Sequence, residues 1–124
     1  MWIYRDIVPE LESRIAARPV VVVTGARQTG KTSLLREAFP RFKYVSLDLP
    51  SAAERAEDAG ESFLAEHGVP LIIDEVQYAP GLLRSLKHAV DADRQRNGQY
   101  VLTGSQKFGL MQGVTESLAG RVAL

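Results

Sequence analysis

The residues with most chemistry in this 124-residue chain form three polar signatures, each directly after an apolar run. The first is Gly25-Ala26-Arg27-Gln28-Thr29-Gly30-Lys31-Thr32, which follows Val20-Val21-Val22-Val23. It matches G-x-x-x-x-G-K-[ST], a phosphate-binding loop in the strand-then-helix setting that the pattern requires. Gly25 and Gly30 allow backbone angles and close approaches that a Cβ would block. The backbone N–H groups from Ala26 to Ser33 can then turn toward phosphate oxygens, at a helix N-terminus whose orphan donors favour anions. Lys31 is suited to the β- and γ-phosphates, and the Thr32 hydroxyl to Mg²⁺. A chance match in a chain of this length arises roughly once in a few hundred chains, before the flanking strand and helix are required as well.

The second signature is Leu71-Ile72-Ile73-Asp74-Glu75-Val76-Gln77. An acidic residue at the end of a buried strand assists Mg²⁺ in phosphate-loop nucleotidases, usually through water. Adjacent strand residues point to opposite sides, so Asp74 and Glu75 should have different neighbours. Asp74 is assigned to the metal, and Glu75 to the attacking water as general base or water positioner. The third signature, Leu102-Thr103-Gly104-Ser105-Gln106, would bring a polar side chain near the γ-phosphate. Ser105 is the first choice and Thr103 and Gln106 are alternates; a plain helix N-cap is the competing role for Ser105. Arg121 in Ser-Leu-Ala-Gly-Arg, and Arg27 inside the loop, are candidates for an arginine that stabilises transition-state charge, a role worth about 10³–10⁵ in rate. A surface arginine is the competing role for each. His67 and His88 lack metal-ligand spacing and read as surface residues.

These signatures need elements to carry them. Ile7, Leu11 and Ile15 recur at helical spacing, giving a helix over 5–18 with Pro9 in its first turn and Pro19 at its end. The apolar runs predict strands at 20–24, 44–47, 69–74 and 100–103. Helices are expected at 31–39, over 51–67 with a break near Gly60, at 82–96 and at 107–119. Val122-Ala123-Leu124 resembles the first residues of a fifth strand. Alternating strands and helices imply an α/β fold with a parallel sheet, whose ligands bind at the carboxyl ends of the strands. All three polar signatures fall there.

Composition bounds the rest. The length suits one domain, residues 1–124, and 45% hydrophobic residues suit a buried core. Fifteen basic and fifteen acidic residues balance, so no global charge selects nucleic acid or an anionic membrane. With no cysteine there is neither a disulfide framework nor a thiolate zinc site. Arg5 and Asp6 interrupt the apolar region a signal peptide would need, and no run approaches membrane-spanning length. A cytoplasmic location is expected.

In order and spacing, GARQTGKT, LIIDEVQ, LTGSQ and SLAGR resemble the AAA-type ATPases of bacteria and archaea whose ATPase domain is often followed by a domain of unknown function. The resemblance covers essentially the whole chain. It implies a three-layer phosphate-loop NTPase of the additional-strand class, with sheet order 5-1-4-3-2 and a truncated fifth strand. It also implies that Lys31 and Thr32 bind ATP, that Asp74 and Glu75 serve Mg²⁺ and hydrolysis, and that Ser105 is the sensor position. The small helical lid and the C-terminal domain of such proteins are not in the sequence, so residues 1–124 read as an AAA-type core incomplete at its C-terminus. Expected partners are that missing domain and a protein or nucleic-acid target, with a homo-oligomer as one arrangement in which an arginine acts in trans. The alternatives are a nucleotide-dependent interaction module with little turnover and a small-molecule kinase. A GTPase fits poorly, because residues 74–77 read Asp-Glu-Val-Gln rather than Asp-x-x-Gly.

Overall fold

The computed structural model describes residues 2–25, 30–93, 95–105 and 122–123. Along them run α1 (Trp2–Ala17), β1 (Val20–Gly25), α2 (Gly30–Ala38), β2 (Lys43–Ser46), α3 (Pro50–Asp58) and α4 (Gly60–His67). Then follow β3 (Leu71–Asp74), a 3₁₀ turn (Val76–Tyr78), α5 (Leu82–Ala92), β4 (Tyr100–Ser105) and β5 (Val122–Ala123). Every strand pair is parallel, and the order across the sheet is β2-β3-β4-β1-β5. β4 therefore lies between β1 and β3, the insertion that defines the additional-strand arrangement.

Alternation along the strands divides the core in two. Val20, Val22, Leu71, Ile73, Tyr100 and Leu102 face α3, α4 and α5, where they meet Phe63, Leu82, Leu86 and Val90. Val21, Ile72 and Val101 face the other way, onto Leu11 and Ile15 of α1 and Leu35 of α2. Central strands buried on both faces explain the near-continuous apolar runs in the sequence.

Several boundaries differ from those expected. Helix α1 begins at Trp2, so Pro9 is interior to it rather than in its first turn. Pro9 is solvent-exposed, and its ring nitrogen removes one backbone hydrogen bond from the helix. β3 starts at Leu71, two residues later than expected, because Pro70 has no N–H for the ladder; its carbonyl accepts from the Lys43 N–H at 3.0 Å. α5 stops at Ala92 instead of running to residue 96. The buried Gln99 accounts for the chain beyond it: its side-chain amide donates to the carbonyls of Asp93 and Arg96, each at 2.9 Å. The break in the 51–67 helix falls at Ala59, and Gly60 opens α4 pressed against α5. The helix expected at 107–119 lies outside the described residues.

Candidate nucleotide site at the carboxyl ends of the strands

The strand register sets which residues share one end of the sheet. Along the β1–β4 pair, Val23 stands beside Thr103, Thr24 beside Gly104 and Gly25 beside Ser105. Ile73 pairs with Leu102, which brings Asp74 level with Thr103, and Ser46 pairs with Asp74 on the other side. Gly25, Asp74, Thr103 and Ser105 thus occupy the carboxyl ends of three adjacent strands. Lys31 and Thr32 lie in the first turn of α2, which begins at Gly30. The sequence-predicted convergence of the three signatures is present in the backbone. Ala26, Arg27, Gln28, Thr29, Gln106 and Arg121 lie outside the described residues.

Asp74 is the most enclosed of the acidic candidates, with 6% of its surface exposed. It shares a face with Ile72, the face covered by α1 and α2. The Tyr44 hydroxyl donates to Asp74 Oδ2 at 2.8 Å, and the Thr103 hydroxyl donates to Oδ1. The Asp74 carbonyl also accepts from the Leu47 N–H at 2.9 Å, which ties the end of β2 to that of β3. Burial of Tyr44, and then its bond to Asp74, push the phenol up to about 12, so it remains a donor at neutral pH. The guanidinium of Arg36 on α2 sits 4.4 Å from the centre of the Tyr44 ring. A cation over the ring face attracts its quadrupole and links α2 to β2 beneath the site.

Glu75 has left the strand. It adopts φ 62° and ψ 50°, a left-handed conformation, and starts the 3₁₀ turn. Its N–H donates to Thr103 Oγ1 at 3.1 Å, its carbonyl accepts from the Tyr78 N–H at 3.2 Å, and its carboxylate accepts from Gln77 Nε2 at 2.6 Å. Asp74 and Glu75 therefore have separate side-chain partners, as strand alternation requires, but the separation is completed by a backbone kink that the sequence did not announce. Sequence reasoning placed Thr103 behind Ser105 and gave Tyr44 and Gln77 no role. Tyr44 shares its strand parity with Ser46, the residue level with Asp74, but only the β2–β3 register reveals this.

A divalent cation fits this donor set. Mg²⁺ takes hard oxygen ligands, keeps several waters and commonly uses one or two carboxylates plus substrate phosphates. Asp74 supplies a carboxylate, the hard oxygen donor such an ion uses, and the Tyr44 and Thr103 hydroxyls orient it. Among the described residues no group of three or more His, Asp or Glu forms a dedicated metal cage. A groove of about 420 Å³, lined by His88, Ser85, Gln99 and Tyr100 among others, opens at the amino ends of β3 and β4. Ligands of parallel sheets bind at the opposite end.

The strand order and this convergence of signatures frame the comparison with known proteins. A family model described as an AAA domain matches residues 17–124. The chain belongs to the AAA domain family. Two uncharacterized mycobacterial proteins, one from Mycobacterium bovis and one from Mycobacterium tuberculosis, are each 33% identical to it over 122 residues. The match covers 97% of this chain and 27% of each relative, so the chain spans about a quarter of their length. Membership in the AAA family gives the chain a phosphate-loop, ATPase-like nucleotide-binding fold. Such domains generally bind ATP with Mg²⁺. No helix among the described residues is long and apolar enough to cross a membrane.

Proposed function

We propose that this AAA domain binds ATP and hydrolyses it with Mg²⁺, and that its nucleotide state is coupled to a further module or target. The observation that carries the reading is Asp74, a buried carboxylate at the carboxyl end of β3, held by Tyr44 of β2 and by Thr103 of β4, the strand that pairs with the one feeding the phosphate loop. Carboxylates are seldom buried unless paired, and this one lies at the end of the sheet where ligands of parallel sheets bind.

In this reading the backbone N–H groups of residues 25–33 cradle the phosphates, and Lys31 reaches the β- and γ-oxygens. Thr32 and Asp74 would hold Mg²⁺, which when bound supplies Lewis-acid stabilisation of charge on the phosphates. Glu75 orients the attacking water and takes its proton. Ser105, paired in register with Gly25, is the polar contact to the γ-phosphate, with Thr103 behind it as the residue that fixes Asp74. Arg121, or Arg27 within the loop, supplies the stabilising guanidinium. Residues 1–124 act as one ATPase core, working with a C-terminal domain that the longer relatives have room for.

The test is ATP turnover by the protein and by Glu75→Gln. The variant should retain ATP affinity and lose hydrolysis by about 10²–10⁴-fold, the usual worth of a positioned base. Turnover at the parent rate would remove Glu75 from the chemistry. A parent that binds Mg-ATP without hydrolysing it would favour a nucleotide-gated interaction module.

A further inference from the structure

Two adjoining features of the turn after β3 are costly to the fold and unexplained by packing. Glu75 carries a Cβ yet adopts a left-handed conformation, which persists only where its surroundings enforce it, most often at functional sites. Two residues on, Gln77 Oε1 is buried with no hydrogen-bond partner among the described residues. Buried polar atoms are nearly always paired, so this one calls for a cause.

The cause is Glu75. A carboxylate only accepts, so Gln77 can meet it only through its NH₂ group, and Nε2 donates to Glu75 Oε1 at 2.6 Å. Turning the amide over to satisfy its oxygen would set two acceptors against each other. Gln77 leaves its own carbonyl unpaired in order to hold Glu75. The kink and the amide act on the same carboxylate from two directions: Thr103 and Tyr78 pin the Glu75 backbone, and Gln77 pins one oxygen. Among the described residues nothing bonds the other oxygen, Oε2, which leaves it available to a water.

We propose that Gln77 is a positioning residue for Glu75, fixing Oε1 so that Oε2 is presented to the attacking water. The proposal rests on the reading of Glu75 as the water-orienting residue. Gln77 touches neither nucleotide nor metal and acts only through Glu75.

The experiment compares ATP turnover and ATP affinity in the protein, Gln77→Ala, Glu75→Gln and the double variant. Gln77→Ala should lower kcat about 10- to 100-fold, the range that follows from a misplaced reacting group, with ATP affinity within about twofold of the parent. In the Glu75→Gln background the same substitution should change nothing further. Parent-like kcat in Gln77→Ala, or an equal loss in both backgrounds, overturns the proposal. Glu75→Gln turning over at the parent rate would instead sink the role of Glu75, a result obtained without touching Gln77. A second measurement needs no turnover. The side-chain amide protons of Gln77, observed by NMR, should shift upfield in Glu75→Ala as the bond to the carboxylate is lost; unchanged resonances would show that the contact does not exist in solution.

Discussion

Thr103 Oγ1 donates to the carboxylate of Asp74 and accepts the backbone N–H of Glu75 at 3.1 Å, so one buried hydroxyl holds both members of the acidic pair. Thr103→Val keeps the shape and removes both bonds. It should cost about 1–3 kcal/mol, because a buried carboxylate oxygen and a part-buried N–H each lose the bond to Thr103. Urea unfolding checks this, and Thr103→Ser should recover most of the loss. ATP turnover should follow the same ranking.

The tyrosines give an alkaline prediction. Tyr44 is pushed up to about 12 by burial and by Asp74, and burial alone raises Tyr100. In the unfolded chain both phenols ionise near their ordinary value of 10.0, so the folded state holds more protons between that pH and the folded values. Stability that is full below pH 10 is therefore lost as pH rises toward 12. Tyr44→Phe should flatten much of that decline. The late-titrating part of the phenolate absorbance should shrink in the variant, because Tyr44 no longer contributes to it.

Lys31 stands in the first turn of α2. Lys31→Ala should abolish measurable Mg-ATP binding by calorimetry while leaving the unfolding midpoint near that of the parent without nucleotide. Wild-type affinity in this variant would remove the phosphate-loop assignment.

Gly60 makes a prediction about packing alone. A Cβ there would come within 2.8 Å of Ser85 Cβ and 2.3 Å of Ser85 Oγ. The hydroxyl can rotate away, but the Ser85 Cβ is fixed to the α5 backbone, so α4 and α5 must separate. Gly60→Ala should destabilise by about 1–3 kcal/mol, the usual cost of overpacking, despite alanine's better helix propensity. The double variant Gly60→Ala with Ser85→Gly should recover part of this.

Much of the architecture was legible because its causes are local. Val20–Val23, Leu71–Ile73 and Val101–Leu102 are apolar β-branched or aliphatic runs, and each delivers a polar signature to the same end of the sheet. Asp74 could be picked out for the same reason. What stayed hidden depends on register and on backbone strain. Tyr44 reaches Asp74 only because β2 pairs with β3 in one alignment, and no periodicity in either segment encodes that alignment. The left-handed Glu75 has no glycine to announce it, since bonds from Thr103 and Tyr78 hold it in place. Gln77 was visible in the motif, but its task depends on which atom of its amide is left unpaired.

β4 is hydrogen-bonded along both edges, to β1 and to β3. A slip of one residue would turn Thr103 away from Asp74 and carry Val101 and Leu102 to the wrong faces of the sheet. The strand that holds the acidic pair thus serves as a fixed datum, with no low-energy way to slide. Its two edges are locked to neighbours, whereas the turn from Glu75 to Tyr78 beside it lies outside the ladder and is held by individual bonds.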